Sequence, residues 1–461
     1  MSAEALLEIL DRAHTGPVCT VHDWDCKVIP REVSSRLKEH GLDKTFAPDN
    51  PINTDDGLAD EFYKAGFELA TRVGMLCIDT ERVVRITEEE LKEALGNAPN
   101  ELTIGEGQDK VVMRHRRPED PYPPIACSSL GIVVSEDLFL RLAQGIAQIK
   151  AIDMIEGPSL DTVFGRPIRS GTPYETLAGR LDAQMHKEAA WRAGRPNIGF
   201  QSVITSPTIF GQLGGYGVPG GFDPKKDTAL VLSPAELKTA YASLHKAAHA
   251  LNCGGAILGG SWTMIGGYVG PAEGAAIASI ACTLLQIPVH QASYSNCNPM
   301  DIRYMGNCGR EGQWAASVSQ QALARNTRVL QSSIANQVSG PCTEMILYES
   351  AVGLMNVSVS GAGHTTGPRS AGGKYTNYIT PLECKFLAEV LKGARSMKRT
   401  DANEIAKTLI KKYEDKLKYP PKGKSFPECY DLKSLQPTKE WLDIYKKVKA
   451  EVVDLGLQLE S

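Results

Sequence analysis

The chain has 461 residues, of which 42% are hydrophobic and 23% charged, and its 50 basic and 54 acidic side chains give a net charge of -4. This balance argues against nucleic acid or an anionic membrane as a partner, while the hydrophobic share is that of an enzyme-sized globular protein. The first residues do not read as a signal peptide, no run of about 18 uninterrupted apolar residues occurs, and the eleven cysteines contain no Cys-x-x-Cys pair. We therefore expect a cytoplasmic protein with no membrane span, disulfide framework or metal site.

The N-terminal part of the chain is predicted to be mostly helical. Apolar residues recur at helical spacing over 58–73 and 87–95, and a proline-rich stretch follows at 118–124. These features predict a helical N-terminal extension over residues 1–123.

Beyond this extension, short apolar runs alternate with amphipathic helical patterns. Such alternation is typical of a parallel sheet built from βα units, and it predicts an α/β fold, a (β/α)8 TIM barrel over residues 124–399. Seven runs are predicted strands, and 228–232 is the best candidate for an eighth. The seven are Pro124–Cys127, Asp153–Glu156, Asn197–Gln201, Ala256–Gly259, Val289–Ser293, Arg328–Ser332 and Asn356–Val359.

Two helix starts within the predicted barrel carry clear signals. Thr172-Pro173-Tyr174-Glu175 and Ser233-Pro234-Ala235-Glu236 each combine a hydroxyl residue, a proline and a glutamate at capping-box spacing. After residue 399 the pattern becomes helical and lysine-rich, with a last helix near 438–455, which predicts a helical C-terminal extension over 400–461. The glycine-rich run 215–220 matches the letters of a dinucleotide-binding fingerprint. Pro219 interrupts the run, however, and a proline-containing loop follows it where the fingerprint needs a helix to begin, so no bound nucleotide cofactor is expected.

Polar and aromatic side chains follow several of the predicted strands. In barrels the carboxyl ends of the strands carry the chemistry, whatever the reaction. Aromatic faces there suit a cationic substrate, although ordinary packing is the alternative for each ring alone. The candidates are Gln201, Ser261, Trp262, Tyr268, Tyr294, Asn296, Trp314 and Asn336.

Several ordered stretches, spread over nearly the whole chain, resemble the monomethylamine:corrinoid methyltransferases of methylotrophic methanogens. They are Lys64-Ala65-Gly66-Phe67-Glu68, Ser135-Glu136-Asp137, Pro173-Tyr174-Glu175, Ala193-Gly194-Arg195-Pro196, Gly266-Gly267-Tyr268, Gly340-Pro341-Cys342-Thr343-Glu344-Met345, Glu428-Cys429-Tyr430-Asp431 and Asp454-Leu455-Gly456-Leu457. The resemblance implies a (β/α)8 barrel, a homohexamer and a cognate corrinoid protein that docks at the barrel mouth. It also implies transfer of a methyl group from nitrogen to Co(I), giving methyl-Co(III), with the corrinoid supplied by that partner and no cofactor bound permanently.

The chain departs from this family where the chemistry is expected. The family has a pyrrolysine whose imine is thought to bind the amine covalently, and here that position is Gln201, which offers no suitable electrophilic carbon. Alignment on neighbouring motifs places Gly260 where the family has a glutamate, and Ile334 and Asn336 where it has a glutamine and a tyrosine. These coordinated changes indicate that the pyrrolysine mechanism is absent.

Our preferred hypothesis is a pyrrolysine-independent methyltransferase whose donor is a methylated amine, with a quaternary nitrogen favoured because it departs as a neutral amine. Gln201 and Asn336 would orient the donor, while Trp262, Tyr268 and Tyr294, with Asn296, would hold its cationic head. Arg303 and Arg310 would anchor a carboxylate, and structural salt bridges explain them equally well.

Two alternatives remain open on the sequence. One is a monomethylamine methyltransferase in which the amber position is read or replaced as glutamine. The other is a non-catalytic homologue that only docks corrinoid proteins.

Overall fold

The computed structural model describes residues 3–202, 205 and 208–459. Eight parallel strands close into a barrel, because each pairs with the next in the chain and the last pairs with the first. They are β1 (Ile125–Ser128), β2 (Met154–Ile155), β3 (Gly199–Ser202), β4 (Thr228–Leu232), β5 (Ala256–Ile265), β6 (Tyr294–Asp301), β7 (Leu330–Ile334) and β8 (His364–Thr366). The predicted TIM barrel is confirmed, with 228–232 as one of its strands.

One helix follows each strand and packs on the outside of the barrel, as parallel strands require. These helices are α1 (Glu136–Ala147), α2 (Pro173–Arg192), α3 (Ile209–Gly215), α4 (Tyr241–Asn252), α5 (Ala272–His290), α6 (Arg310–Asn326), α7 (Glu344–Val359) and α8 (Pro381–Gly393). The predicted start of α2 at Pro173 is confirmed. Helix α8 begins with a full capping box between Thr380 and Glu383.

Two predicted strands are wrong, and both lie at the ends of buried helices. Residues 289–290 end α5, and the strand begins later, at Tyr294; residues 356–359 end α7, and the last strand is His364–Thr366. Nearly every residue of α5 and α7 is buried. A helix that is apolar on all sides loses the 3.6-residue periodicity that separates it from a buried strand.

The helix start predicted at Ser233 is also wrong, since α4 begins at Tyr241. The two capping candidates make tertiary contacts instead. The Ser233 hydroxyl accepts a hydrogen bond from Gln286 Nε2 at 3.0 Å, and Glu236 Oε1 accepts one from the Met264 backbone N–H at 2.6 Å. Side chains used in this way cannot satisfy the first turn of a helix.

The N-terminal segment packs against the barrel helices α5 and α6. A Cβ at Gly66, on the helix Asp56–Val73, would lie 2.5 Å from Ile280 Cγ2, so glycine permits this close approach. Helix α5 is long and apolar enough to qualify as a membrane span, yet its apolar stretch is entirely buried, which is the ordinary setting of a core helix. The elements of the segment are the helices Ala3–Thr15, Val21–Asp23, Ile29–Glu39, Asp56–Val73 and Glu88–Asn97, the π-helical turn Trp24–Val28, and the strands Met75–Cys77, Arg82–Val84, Glu101–Ile104 and Val111–Arg114.

A hairpin of the strands Glu101–Ile104 and Val111–Arg114 closes the N-terminal end of the barrel. Its Ile104 and Met113 side chains are fully buried and belong to one apolar cluster with Leu230 and Leu258 of the barrel interior. A backbone hydrogen bond also connects the hairpin to the barrel, since the Gly105 N–H donates to the carbonyl of Lys226, just before β4, at 3.0 Å. This end of the barrel is therefore packed with apolar side chains.

The C-terminal segment packs on α7 and α8. Trp441 is fully buried, and its indole Nε1 donates to Thr380 Oγ1 at 3.0 Å. The predicted last helix is confirmed as Lys439–Asp454.

The remaining described elements are mostly short and lie along much of the chain. They are the helices Arg399–Ile410 and Phe426–Cys429, the 3-10 turns Gly107–Asp109, Ser370–Gly373 and Glu414–Lys416, and the short strands Val133–Val134, Ser159–Leu160, Thr162–Val163, Arg166–Pro167, Lys238–Thr239, Tyr430–Asp431 and Gln436–Pro437.

Candidate active site

A small cavity lies at the open, C-terminal end of the barrel strands. Its volume is about 30 Å³, which holds a ligand of about two or three heavy atoms. Its described lining combines five aliphatic side chains with a few polar ones. The lining residues are Leu130, Glu156, Gln201, Leu230, Leu232, Leu258, Ser261, Trp262, Asn296, Ile334 and Thr366.

Gln201, near the end of β3, is held at both ends of its side-chain amide. Its Nε2 donates to Glu156 Oε2 at 2.6 Å, and its Oε1 accepts a hydrogen bond from the Tyr294 hydroxyl at 3.0 Å. The side chain is almost completely buried. Two hydrogen bonds therefore fix its orientation at the base of the cavity.

Glu156, directly after β2, is the acidic partner of Gln201. Thr366 on β8 also donates its hydroxyl to Glu156 Oε2. Burial raises the pKa of Glu156 to about 8, although both hydrogen bonds act in the opposite direction. Among the described residues no charged side chain bonds to this carboxyl group, and the raised pKa keeps it protonated at neutral pH.

Tyr294, the first residue of β6, extends this hydrogen-bonded chain into the barrel interior. Its hydroxyl lies 2.8 Å from Thr228 Oγ1, and its ring stands edge-on to His364 with centroids 5.4 Å apart. Burial raises the pKa of Tyr294 well above its ordinary value. Tyr294 is thus a neutral donor that supports Gln201 from beneath.

The opposite wall of the cavity comes from β5 and β6. Trp262 is half-buried and supplies the aromatic ring among the described lining residues. Asn296 Nδ2 donates to Ser332 Oγ at 3.2 Å, and Ser261 Oγ donates to the Ser233 carbonyl at 3.1 Å. These polar groups are paired within the protein, which leaves Trp262 as the face open to a ligand.

Six residues singled out in the sequence do not line this cavity, namely Tyr268, Tyr294, Arg303, Arg310, Trp314 and Asn336. Tyr268 is 47% exposed and faces Lys238 Nζ at 6.0 Å from its ring centre. Arg303 donates to Asp301 at 2.8 Å and also pairs with Glu311. Their proposed roles toward a substrate stay predictions.

Asn336, another of these residues, lies two positions beyond β7. It is fully buried, and neither atom of its side-chain amide has a hydrogen-bond partner among the described residues. Arg310, the other suggested carboxylate anchor, pairs with Glu414 at 2.7 Å. Both suggested arginine anchors therefore occupy salt bridges.

Two of the positions that depart from the resembled family, Gly260 and Ile334, lie beside an apolar wall of the cavity. A Cβ at Gly260 would lie 2.7 Å from Leu232 Cδ2, so Leu232 fills the space that a side chain at 260 would occupy. Ile334 lines the cavity as well. The wall therefore presents aliphatic groups where the resemblance implies polar side chains.

Two residues of this site were missed in the sequence. The sequence predicts a strand over 153–156 that includes Glu156, whereas in the structure β2 ends at Ile155 and Glu156 is the first residue after it. Thr366 was missed because the last strand was placed at 356–359. Glu156 could have been found by the rule that picked out Gln201, namely a polar residue at the carboxyl end of a strand.

A closed (β/α)8 barrel with a buried amide and carboxyl at its strand C-termini defines a barrel enzyme. The family model described as "Monomethylamine methyltransferase MtmB" matches residues 5–457. The chain belongs to this family of methyltransferases.

Individual members of the family are similar to this chain over nearly its full length. The chain is 31% identical to "Monomethylamine methyltransferase MtmB1" of Methanosarcina acetivorans and to "Monomethylamine methyltransferase MtmB3" of Methanosarcina barkeri (strain Fusaro), covering 98% of this chain and 97% of each relative. The crystal structure of the Methanosarcina barkeri monomethylamine methyltransferase matches with a TM-score of 0.95 at 30% identity, over 98% of both chains. The resemblance read from the motifs is confirmed.

Proposed function

We propose that this protein transfers a methyl group from a small methylated ammonium ion to the Co(I) of a corrinoid held by a partner protein, without a covalent adduct to the donor. The observation that carries the proposal is Gln201, hydrogen-bonded at both ends at the base of the cavity. An amide fixed in this way can orient a ligand, but it has no electrophilic carbon with which to bind an amine covalently.

The leaving group decides which donors can react without an adduct. The bond between the methyl carbon and nitrogen breaks with both electrons going to nitrogen, and the acceptor supplies the pair for the new bond to carbon. Nitrogen leaves as a neutral amine if it is quaternary or protonated at the start. Positioning by the site then replaces covalent activation.

The size of the cavity narrows this choice. About 30 Å³ suits methylammonium or dimethylammonium, whereas a betaine-sized donor needs lining side chains such as Leu232 or Trp262 to move. The preference for a quaternary nitrogen rests on leaving-group chemistry alone. Geometry and family therefore favour the smallest donor, in its protonated form.

The surface around the barrel mouth supports a macromolecular partner. Large apolar side chains are exposed on β4 or in the loops that follow the other strands, where a docked partner would cover them. A corrin ring is far larger than the cavity, so the acceptor must be presented from outside. The exposed side chains are Val133, Phe164, Leu232, Tyr268, Ile302, Met305 and Tyr375.

A donor panel tests the proposal. The protein, with Gln201 verified by peptide mass, is mixed with a corrinoid protein reduced to Co(I), and methyl-cobalt formation is followed in the visible spectrum. We expect methylammonium to react fastest, then dimethylammonium, with betaines slowest. Betaines reacting fastest would favour the quaternary hypothesis, and tight docking with no methyl transfer from any donor would favour a non-catalytic docking protein.

A further inference from the structure

We propose that Glu156 is the counter-ion of the cationic donor, and that donor binding expels the proton that Glu156 carries in the empty site. The inference deepens the proposed function, on which it rests for the class of ligand. It assigns a direct binding role to a residue that the motifs of the sequence did not mark.

The composition of the cavity leaves a cation few partners. Of the described residues that line it, Glu156 is the acidic one, and none is basic. The other polar lining groups, such as Ser261 and Asn296, are engaged with the protein. An ammonium ion placed in this cavity therefore meets one group with which it can form an ion pair.

The carboxyl group is oriented for such a contact. Thr366 and Gln201 come from opposite sides of β2 and both donate to the same oxygen, Oε2. The other carboxyl oxygen is not engaged by either donor. Two fixed hydrogen bonds thus hold the group in one orientation, which lowers the entropy cost of pairing with a ligand.

The described groups packed around Glu156 do not supply a positive charge of their own. Burial keeps Cys127 on β1 and Tyr294 on β6 neutral by raising their pKa values, and it lowers the pKa of His364 on β8 to about 3. Asp153, before β2, pairs with Lys392 at 2.8 Å. The charge state of Glu156 therefore depends on whether a cation occupies the cavity.

Binding and deprotonation are coupled for this reason. The pKa of Glu156 is about 8 without a ligand, and a cation in contact with the carboxyl favours its ionised form. The balanced step is an ammonium ion plus the carboxylic acid giving an ammonium carboxylate pair and one proton released to solvent. The pair keeps the donor nitrogen protonated, so that it can leave as a neutral amine.

The affinity of the empty protein for methylammonium should report this exchange. Methylammonium stays protonated between pH 6 and 8, as lysine side chains do. We expect its Kd to fall about tenfold per pH unit over this range, because one proton is displaced for each ion bound, and to level off above about pH 8. Calorimetry in buffers of different ionisation enthalpy should give about one proton released at pH 6.5.

Two variants separate a binding role from a structural one. Glu156→Gln keeps the shape of the side chain, and we expect at least tenfold weaker binding at pH 8, no pH dependence and no proton release. Glu349→Gln removes another buried carboxyl whose pKa is raised to about 7 but which does not line the cavity. We expect this control to bind methylammonium as the unmodified protein does.

The results that would overturn the inference are definite. They are no saturable binding of methylammonium at pH 8, a Kd that does not change with pH, or unchanged affinity in Glu156→Gln. These measurements need no corrinoid, so they are distinct from a failure of the proposed function. Proton-coupled binding without methyl transfer would support the counter-ion and reject the enzyme, and methyl transfer with uncoupled binding would do the reverse.

Discussion

The two ends of the barrel share one interior but are built for different purposes. At the N-terminal end the hairpin 101–114 inserts Ile104 and Met113 into an apolar cluster. At the C-terminal end hydrogen bonds join Glu156, Gln201 and Tyr294 beside a small cavity. Leu230 and Leu258 belong to both regions and separate the packed end from the polar end.

This difference shows that stability and ligand binding depend on opposite ends of the barrel. Apolar packing at the closed end contributes to stability in proportion to the surface it buries. The polar groups at the mouth have little apolar surface to bury and are held by hydrogen bonds. Substitutions at the two ends should therefore affect different measurements.

The largest effect is expected at the closed end. Ile104→Ala removes a fully buried side chain and should lower the free energy of unfolding by about 2–5 kcal/mol, through lost burial and a residual cavity. Denaturant unfolding measures this loss, and methyl transfer per folded molecule should be unchanged. Leu7→Ala, at a position that is 59% exposed, is the control. Equal losses in the two variants would contradict the packing role of the hairpin.

Gln201→Leu should act mainly on the reaction. The change removes the amide that orients Glu156 and accepts from Tyr294, and a lost buried hydrogen bond is worth about 1–3 kcal/mol. We expect methyl transfer to fall about 10- to 100-fold, with a smaller fall in melting temperature than for Ile104→Ala. Full activity in Gln201→Leu would show that the amide does not orient the donor.

Trp262→Ala should have a smaller effect on the same reaction. Loss of an aromatic face beside a bound cation costs about 0.5–2 kcal/mol, which corresponds to a rise in KM for methylammonium of about 2- to 30-fold. The KM of Trp262→Phe for methylammonium should lie between those of the unmodified protein and Trp262→Ala. Trp191→Ala, on the exposed side of α2, serves as the matched control and should leave KM unchanged.

Tyr268→Ala and Arg303→Gln should have the smallest effects. Neither residue lines the cavity, and Arg303 is paired with Asp301 and Glu311. We expect methyl transfer rates and KM values within about twofold of the unmodified protein, since surface changes of this kind have small energies. A large rise in KM for either variant would show that the substituted residue contributes to substrate binding after all.

The sequence predicted the barrel because short apolar runs alternate with helical patterns, and 228–232 was the best remaining candidate for the eighth strand. It misplaced the strands at 289–293 and 356–359 because α5 and α7 are buried on all sides. The helix start predicted at Ser233 is wrong because Ser233 and Glu236 form tertiary hydrogen bonds, which a local sequence pattern does not reveal.

The lining of the cavity was predicted only in part. Gln201, Trp262 and Asn296 all line the cavity, although Asn296 lies within β6 and the strand predicted before it, 289–293, is wrong. Tyr268 and Arg303 follow strands as well, but their loops turn them toward other partners. The position of a residue after a strand predicts the correct end of the barrel, whereas the direction of its side chain depends on the packing of the loop.

The most direct test of the central claim is a single-turnover reaction at the mouth of the barrel. The protein is produced in a host without pyrrolysine, Gln201 is verified by peptide mass, and excess protein is mixed with methylammonium and a Co(I) corrinoid protein. We predict one methyl-cobalt formed per corrinoid, with an unchanged intact mass for the protein throughout. Absence of methyl-cobalt, or a covalent amine adduct on the chain, would contradict transfer by positioning alone.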